Sequence, residues 1–254
     1  MLLTADIGNT NITLGVFSED VLLFTARLAT DSRLTSDQYA IDIKDVLALN
    51  GVGYSEIEDA VICSVVPVVG SAVAEAVSKL CSIVPLIIGP GVKTGLNIKI
   101  DNPAQLGADL VAGAVGAISK CKLPCIILDL GTATTISVVD KSGNFLGGSI
   151  CAGIGITLDA LSSKTSQLPR ISIEAPKSPI GSNTVDSMKS GLVLGSASMI
   201  DGMITRIEKQ LGESATVIGT GGLCSMVVKH CEKEIIVDDN LLLEGLKIIY
   251  QKNI

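Results

Sequence analysis

The chain contains no Trp, three Phe, three Tyr and a single His among 254 residues. A core built from it must therefore be packed by Val, Ile, Leu and Ala around a buried sheet. Charge of one sign is nowhere concentrated. The net charge is −7, only 18% of residues are charged, and no run of Lys or Arg occurs, so no basic surface is available to neutralise a nucleic-acid backbone. Apolar stretches stop well short of the ~20 residues needed to span a bilayer. The opening Met1-Leu2-Leu3-Thr4-Ala5 has no basic residue and is cut by Asp6, which does not fit a secretory leader. A cytoplasmic protein is the expectation. The seven Cys are odd in number and lack a Cys-x-x-Cys pair, so zinc-site spacing is missing and the thiols read as small buried apolar groups. His230, flanked by Lys229, reads as a surface residue.

What is present is a phrase written twice. Leu3-Thr4-Ala5-Asp6-Ile7-Gly8-Asn9-Thr10-Asn11 and Ile127-Leu128-Asp129-Leu130-Gly131-Thr132-Ala133-Thr134 each run an apolar strand into an Asp, then a Gly-containing turn with Asn or Thr, then a second strand. Gly lets the backbone approach an anion, turn amides and hydroxyls donate to phosphate oxygens, and the carboxylate can hold a metal ion or its water. A tight hairpin turn uses the same residues for conformational reasons alone. An Asp at the end of a buried strand in both halves is more than a turn needs, because burying a carboxylate is costly. The repeat suggests a nucleotide held by duplicated domains, 1–118 and 119–254.

The pattern along the chain agrees with duplication. Strands at 2–6, 11–17 and 20–29 precede a helix from Ser36 to Leu49, capped by Ser36 or Asp37. A strand at 60–66, a helix at 71–81 and a strand at 85–88 follow. A Gly- and Pro-rich loop then leads to a helix from about Ala104 to Lys120. The second half repeats the order with strands at 125–129, 134–139 and 144–151, helices at 153–163 and 184–210, a strand at 216–218, a helix at 223–230, a strand at 235–237 and a closing helix at 240–250. Two βββαβαβα halves indicate an α/β chain of duplicated ribonuclease H-like domains, each a mixed central sheet flanked by helices. By analogy of fold this is the actin-like ATPase, sugar-kinase and heat-shock ATPase arrangement, and fold alone does not assign a reaction.

Two further motifs carry chemistry. Gly219-Thr220-Gly221-Gly222 opens a helix after a strand, where amides can bind phosphate or bare backbone can admit adenine and ribose. Gly107-Ala108-Asp109 sets a carboxylate in an apolar, small-residue helix. Asp109 is either a structural cap or a general base that takes a proton from an attacking hydroxyl.

Together with Gly89-Pro90-Gly91, Asn102-Pro103, Leu168-Pro169 and Gly181-Ser182-Asn183-Thr184, these residues resemble the type III pantothenate kinases over nearly the whole chain. The resemblance implies ATP-dependent phosphorylation of the primary hydroxyl of pantothenate, the first step of coenzyme A biosynthesis, by a homodimer that uses Mg²⁺ and K⁺ or NH₄⁺. It implies that Asp6, Gly8, Asn9, Thr10, Asn11, Thr132, Gly221 and Gly222 bind ATP, with Asp6 also holding Mg²⁺ and Asp129 holding K⁺. Asp109 is the implied base. Gly107, Ala108, Asp109, Leu110 and Thr184 are the implied pantothenate contacts, Thr184 across the dimer interface. The chain departs from the family pattern at Leu110, where Arg is usual, at Ile100, near which an aromatic is often found, and at Ala152, where Pro is usual. Leu cannot pair with a substrate carboxylate as Arg can. Two alternatives stand beside pantothenate: a related alcohol acceptor, or an ATP-binding regulator without catalysis.

Overall fold

A computed structural model describes residues 1–254. Two compact units account for all of them: Met1–Leu96 with Asp101–Gly116 and Asn240–Ile254, and Asn97–Ile100 with Ala117–Asp239.

The first unit is built on β1 (Leu2–Ile7), β2 (Asn11–Ser18) and β3 (Val21–Ala29), an antiparallel meander, extended by β4 (Asp59–Ser64) and β5 (Leu86–Ile87). The sheet order is β3-β2-β1-β4-β5, with β4 parallel to β1 and β5 parallel to β4. β1 is central, and its Leu3, Ala5 and Ile7 are fully buried. Helices α1 (Ser36–Leu49) and α2 (Pro67–Cys81) add Tyr39, Ile43, Leu47, Val69, Val73 and Val77 to the same core. The cap of α1 is Thr35, one residue ahead of the expected Ser36 or Asp37: its hydroxyl accepts from the Gln38 amide while Gln38 reaches back to the Thr35 amide. That reciprocal pair satisfies two otherwise orphaned donors, which a lone Ser or Asp one residue on would not. α2 starts at Pro67, earlier than expected, because Pro at the first helical position gives up no hydrogen bond.

Helix α3 (Ala108–Lys120) begins after Gly107, and the expected first turn at 103–105 is a separate 3-10 turn. It carries Asp109 in its first turn and contributes residues to both units, the division falling after Gly116.

The second unit repeats the first. β7 (Cys125–Leu130), β8 (Ala133–Val139) and β9 (Asn144–Ala152) form the meander, and β10 (Thr216–Thr220) and β11 (Ile236–Val237) extend it. With β6 (Asn97–Ile98) at one edge, its sheet order is β11-β10-β7-β8-β9-β6. The first five strands match the first sheet one for one, and β6, unexpected from a loop-like sequence, is added at the outer edge by pairing with β9. Helices α4 (Ile154–Lys164), α5 (Thr184–Leu211) and the short α6 (Cys224–Val227) flank the sheet. The expected helix at 223–230 is thus split, ending as a 3-10 turn over Val228–His230.

The closing helix α7 (Leu241–Gln251) packs on β1 and β4 of the first unit, whereas the expected division at 118/119 groups it with the second half. Burial is the reason. Leu241, Leu243, Leu246 and Ile249 are at most 1% exposed, each burial stabilising by about 1.5–3 kcal/mol. The backbone also comes very close to α3: a Cβ on Gly245 would collide with the carbonyl oxygen of Ala112, and one on Gly116 with that of Leu241. Lys247 completes the dock through a 2.9 Å contact with Asp20 Oδ1.

Candidate functional site

In the first unit the end of β1 delivers Asp6 opposite Thr13 of β2 and Cys63 of β4. The next turn, Gly8-Asn9-Thr10, is closed by a 3.0 Å bond from the Gly8 amide to the Asn11 carbonyl. Thr30 at the end of β3 braces it, its hydroxyl donating to the Gly8 carbonyl at 2.7 Å and its amide to the Thr10 carbonyl at 3.0 Å. Asn9, Thr10 and Asn11 are exposed at the tip, while Asp6 sits below them. This combination sets an exposed turn above a carboxylate at its base.

Burial raises the pKa of Asp6 to about 6; the hydrogen bond from Cys63 opposes that rise, and the charge of Asp109 adds to it. Asp109 therefore lies near Asp6 although the sequence sets the two far apart. Its side chain bends back over Gly107, where a Cβ would collide with Oδ1, and Oδ1 accepts the Leu110 amide at 2.8 Å. Burial raises its pKa above the ordinary carboxylate value, with the Leu110 amide pulling it down. Asp109 thus has both a cap-like bond and the raised basicity suited to accepting a proton. Gly107, Ala108 and Leu110 line the same helix start and are half-buried.

The second unit presents the matching constellation. Asp129 stands opposite Thr135 of β8 and Thr220 of β10, the same register positions that Thr13 and Cys63 occupy around Asp6. The Gly131-Thr132 turn is one residue shorter than its counterpart and is closed by a bond from the Gly131 amide to the Ala133 carbonyl at 3.1 Å. Backbone crowds around this Asp. Gly221, at φ +97°, has no room for a Cβ, which would stand 2.6 Å from Asp129 Oδ1 and 2.7 Å from the Leu130 backbone. Gly153, at the start of α4, presses equally closely on the carbonyls of Gly131 and Thr132. Only Gly tolerates either approach. Gly222 follows as the exposed residue of the turn.

Thr184, the first residue of α5, lies elsewhere in this unit. It lines an open cavity of about 570 Å³ with Thr157, Leu161, Leu168, Ser187 and Met188, which shares no lining residue with the Asp129 cluster.

No group of three or more His, Cys, Asp or Glu side chains is placed to hold a metal ion. Mg²⁺ carried by a nucleotide needs no such group, since it keeps several waters and takes one or two carboxylates plus substrate phosphates. Asp6 fits such a role, with its carboxylate set beneath an exposed turn. No helix is long and apolar enough to cross a membrane.

Cys63 has no counterpart among the residues expected from sequence. Its Sγ donates to Asp6 Oδ1 at 3.1 Å, and burial, together with the nearby carboxylates, pushes its pKa well above the usual thiol value. The signal that could have found it is strand register, since a parallel strand beside β1 must place one residue directly against Asp6.

The chain is similar to known proteins in sequence and in fold. The model of the type III pantothenate kinase family matches residues 2–206. The type III pantothenate kinase of Halalkalibacterium halodurans is 41% identical over 254 residues, covering all of both chains. Among solved structures, a Campylobacter jejuni protein described as a conserved Baf family transcriptional activator superposes with a TM-score of 0.63 at 18% identity, covering 99% of this chain and 98% of that one. The ADPNP-bound activator of 2-hydroxyisocaproyl-CoA dehydratase from Clostridium difficile gives 0.53 at 15%, covering 99% and 93%. These two show the shared fold alone. The family match and the full-length identity carry more: the chain belongs to the type III pantothenate kinase family.

Proposed function

We propose that the chain transfers the γ-phosphoryl group of ATP to the primary hydroxyl of pantothenate, giving 4'-phosphopantothenate and ADP for coenzyme A biosynthesis. The observation that carries this reading is Asp109: a carboxylate of raised pKa, fixed through Oδ1 at a helix start close to Asp6.

The hydroxyl oxygen attacks the γ-phosphorus, the bond to the β–γ bridging oxygen breaks, and the hydroxyl proton passes to Asp109. With Oδ1 engaged by the Leu110 amide, Oδ2 is the oxygen that takes it. Phosphoryl transfer needs little covalent help from a protein and much positioning and charge neutralisation. Asp6, Gly8, Asn9, Thr10, Asn11, Thr132, Gly221 and Gly222 are the ATP ligands of this reading. Asp6 would hold Mg²⁺, which would supply positive charge that an acidic chain lacks, and Asp129 would hold K⁺ or NH₄⁺. Gly107, Ala108 and Leu110 border the acceptor, and Thr184 reaches pantothenate from the second copy of a homodimer. The protein works in the cytoplasm, where ATP is available.

The half-buried Leu110 favours a second reading, in which a related alcohol without a carboxylate is the better acceptor, because Leu offers such a group no ionic partner. Incubation with ATP, Mg²⁺, K⁺ and either pantothenate or an uncharged analogue, followed by mass analysis of the product, tests both. Phosphorylation of pantothenate supports the first reading; ATP binding with no transfer to pantothenate overturns it.

A further inference from the structure

The two units place a small hydrogen-bonding side chain at the same register position beside each hairpin Asp. On the parallel neighbour of β1, Cys63 pairs with Asp6; on the parallel neighbour of β7, Thr220 pairs with Asp129. Residues paired across a parallel ladder project to the same face, so Cys63 and Thr220 each flank the Asp from the side opposite its hairpin partner, Thr13 or Thr135. Cys63 and Thr220 are both buried, at 0% and 4% exposure.

We propose that Cys63 is a positioning residue for Asp6: its thiol fixes Oδ1 and so presents Oδ2 toward the Mg²⁺ that accompanies ATP. The inference rests on the ATP-kinase reading above but adds a residue which that reading does not contain. A free Asp carboxylate turns about χ2 with little restraint. Asp6 has few other means of fixation, because the 3.1 Å contact from Cys63 Sγ is its side-chain hydrogen bond within the protein. A thiol is a weak donor, and an ionised acceptor strengthens the bond it makes. Its small size matters as well. Cys63 is entirely enclosed next to β1, where a longer donor would displace the strand.

Manganese serves as the probe, with its binding in the presence of ATP followed by electron paramagnetic resonance and no acceptor added. Cys63→Ala and Cys63→Val remove the donor, Ala with less volume than the thiol and Val with more, while Cys63→Ser keeps it. Loss of one hydrogen bond to a charged group corresponds to roughly 10-fold weaker binding, expected for Ala and Val, with Ser staying within about 3-fold of the parent. Thermal melting establishes which variants are folded. Parent-like Mn²⁺·ATP binding by a folded Ala or Val variant overturns the proposal, as does a folded Ser variant that loses as much as they do. Because no acceptor takes part, failure of the pantothenate assignment leaves this result intact. Parent protein that does not bind Mn²⁺·ATP at all would instead strike at the kinase reading.

Discussion

Gly221 approaches Asp129 so closely that a single added carbon would stand 2.6 Å from the carboxylate oxygen Oδ1. The contact joins two turns that the sequence separates widely, and its backbone conformation, φ +97°, is one that side chains oppose.

Gly221→Ala is accordingly expected to destabilise the fold by about 1–3 kcal/mol through backbone strain, and to weaken ATP binding further by displacing Asp129. Urea denaturation and calorimetric titration with ATP separate the two effects. Unchanged stability together with unchanged ATP affinity would contradict the described packing.

Asp109→Asn removes the proton acceptor while keeping the shape. A general base is worth about 10²–10⁴-fold in rate, so turnover should fall by that factor while ATP binding stays near the parent value. Steady-state kinetics beside nucleotide titration checks this. A variant with parent-like turnover would exclude Asp109 as the base.

Asp6 sets a pH dependence in the metal-free protein. Its folded pKa of about 6 lies above the ordinary aspartate value of 3.8, so between those values the folded state binds more protons than the unfolded chain. Stability from this group is present below about pH 4 and is lost as pH rises through 6. The shift corresponds to about 2–3 kcal/mol. Asp6→Asn should therefore stabilise the metal-free protein at pH 7 by up to that amount and flatten the pH 4–6 portion of its stability curve. Turnover should be lost at the same time, because Asn cannot supply the charge. Denaturation midpoints across that range, read with a kinase assay, test both halves.

Gly245→Ala drives a methyl group into the Ala112 carbonyl of α3. Overpacking of this kind costs about 1–3 kcal/mol, and α3 carries Asp109. A lower urea midpoint and a reduced kcat are expected together, with the ATP KM close to the parent value. A lowered midpoint with unaltered kcat would show that α7 stabilises the unit without positioning the base.

Much of the fold is legible from local pattern. The duplicated meander follows from alternating Val, Ile and Thr around two Asp-Gly turns, because strand periodicity and turn chemistry are short-range properties. Boundaries that depend on a specific cap or a distant partner were less legible. Thr35 is chosen over Ser36 by its reciprocal bond with Gln38, and β6 exists only because β9 offers an open edge.

The sequence by itself determined that two Gly-containing turns, each preceded by an Asp, would stand at the ends of two central strands, and that Asp109 would lie in an apolar, small-residue helix. Family membership was legible for the same reason, since its motifs are contiguous runs of residues. Only the tertiary structure decided which groups meet. It set Cys63 against Asp6, brought the charge of Asp109 near both, laid Gly221 on Asp129 and gave the closing helix to the first unit. Parallel pairing and helix docking join residues with no local signature of their partner, so burial and register, rather than spacing along the chain, fix those contacts.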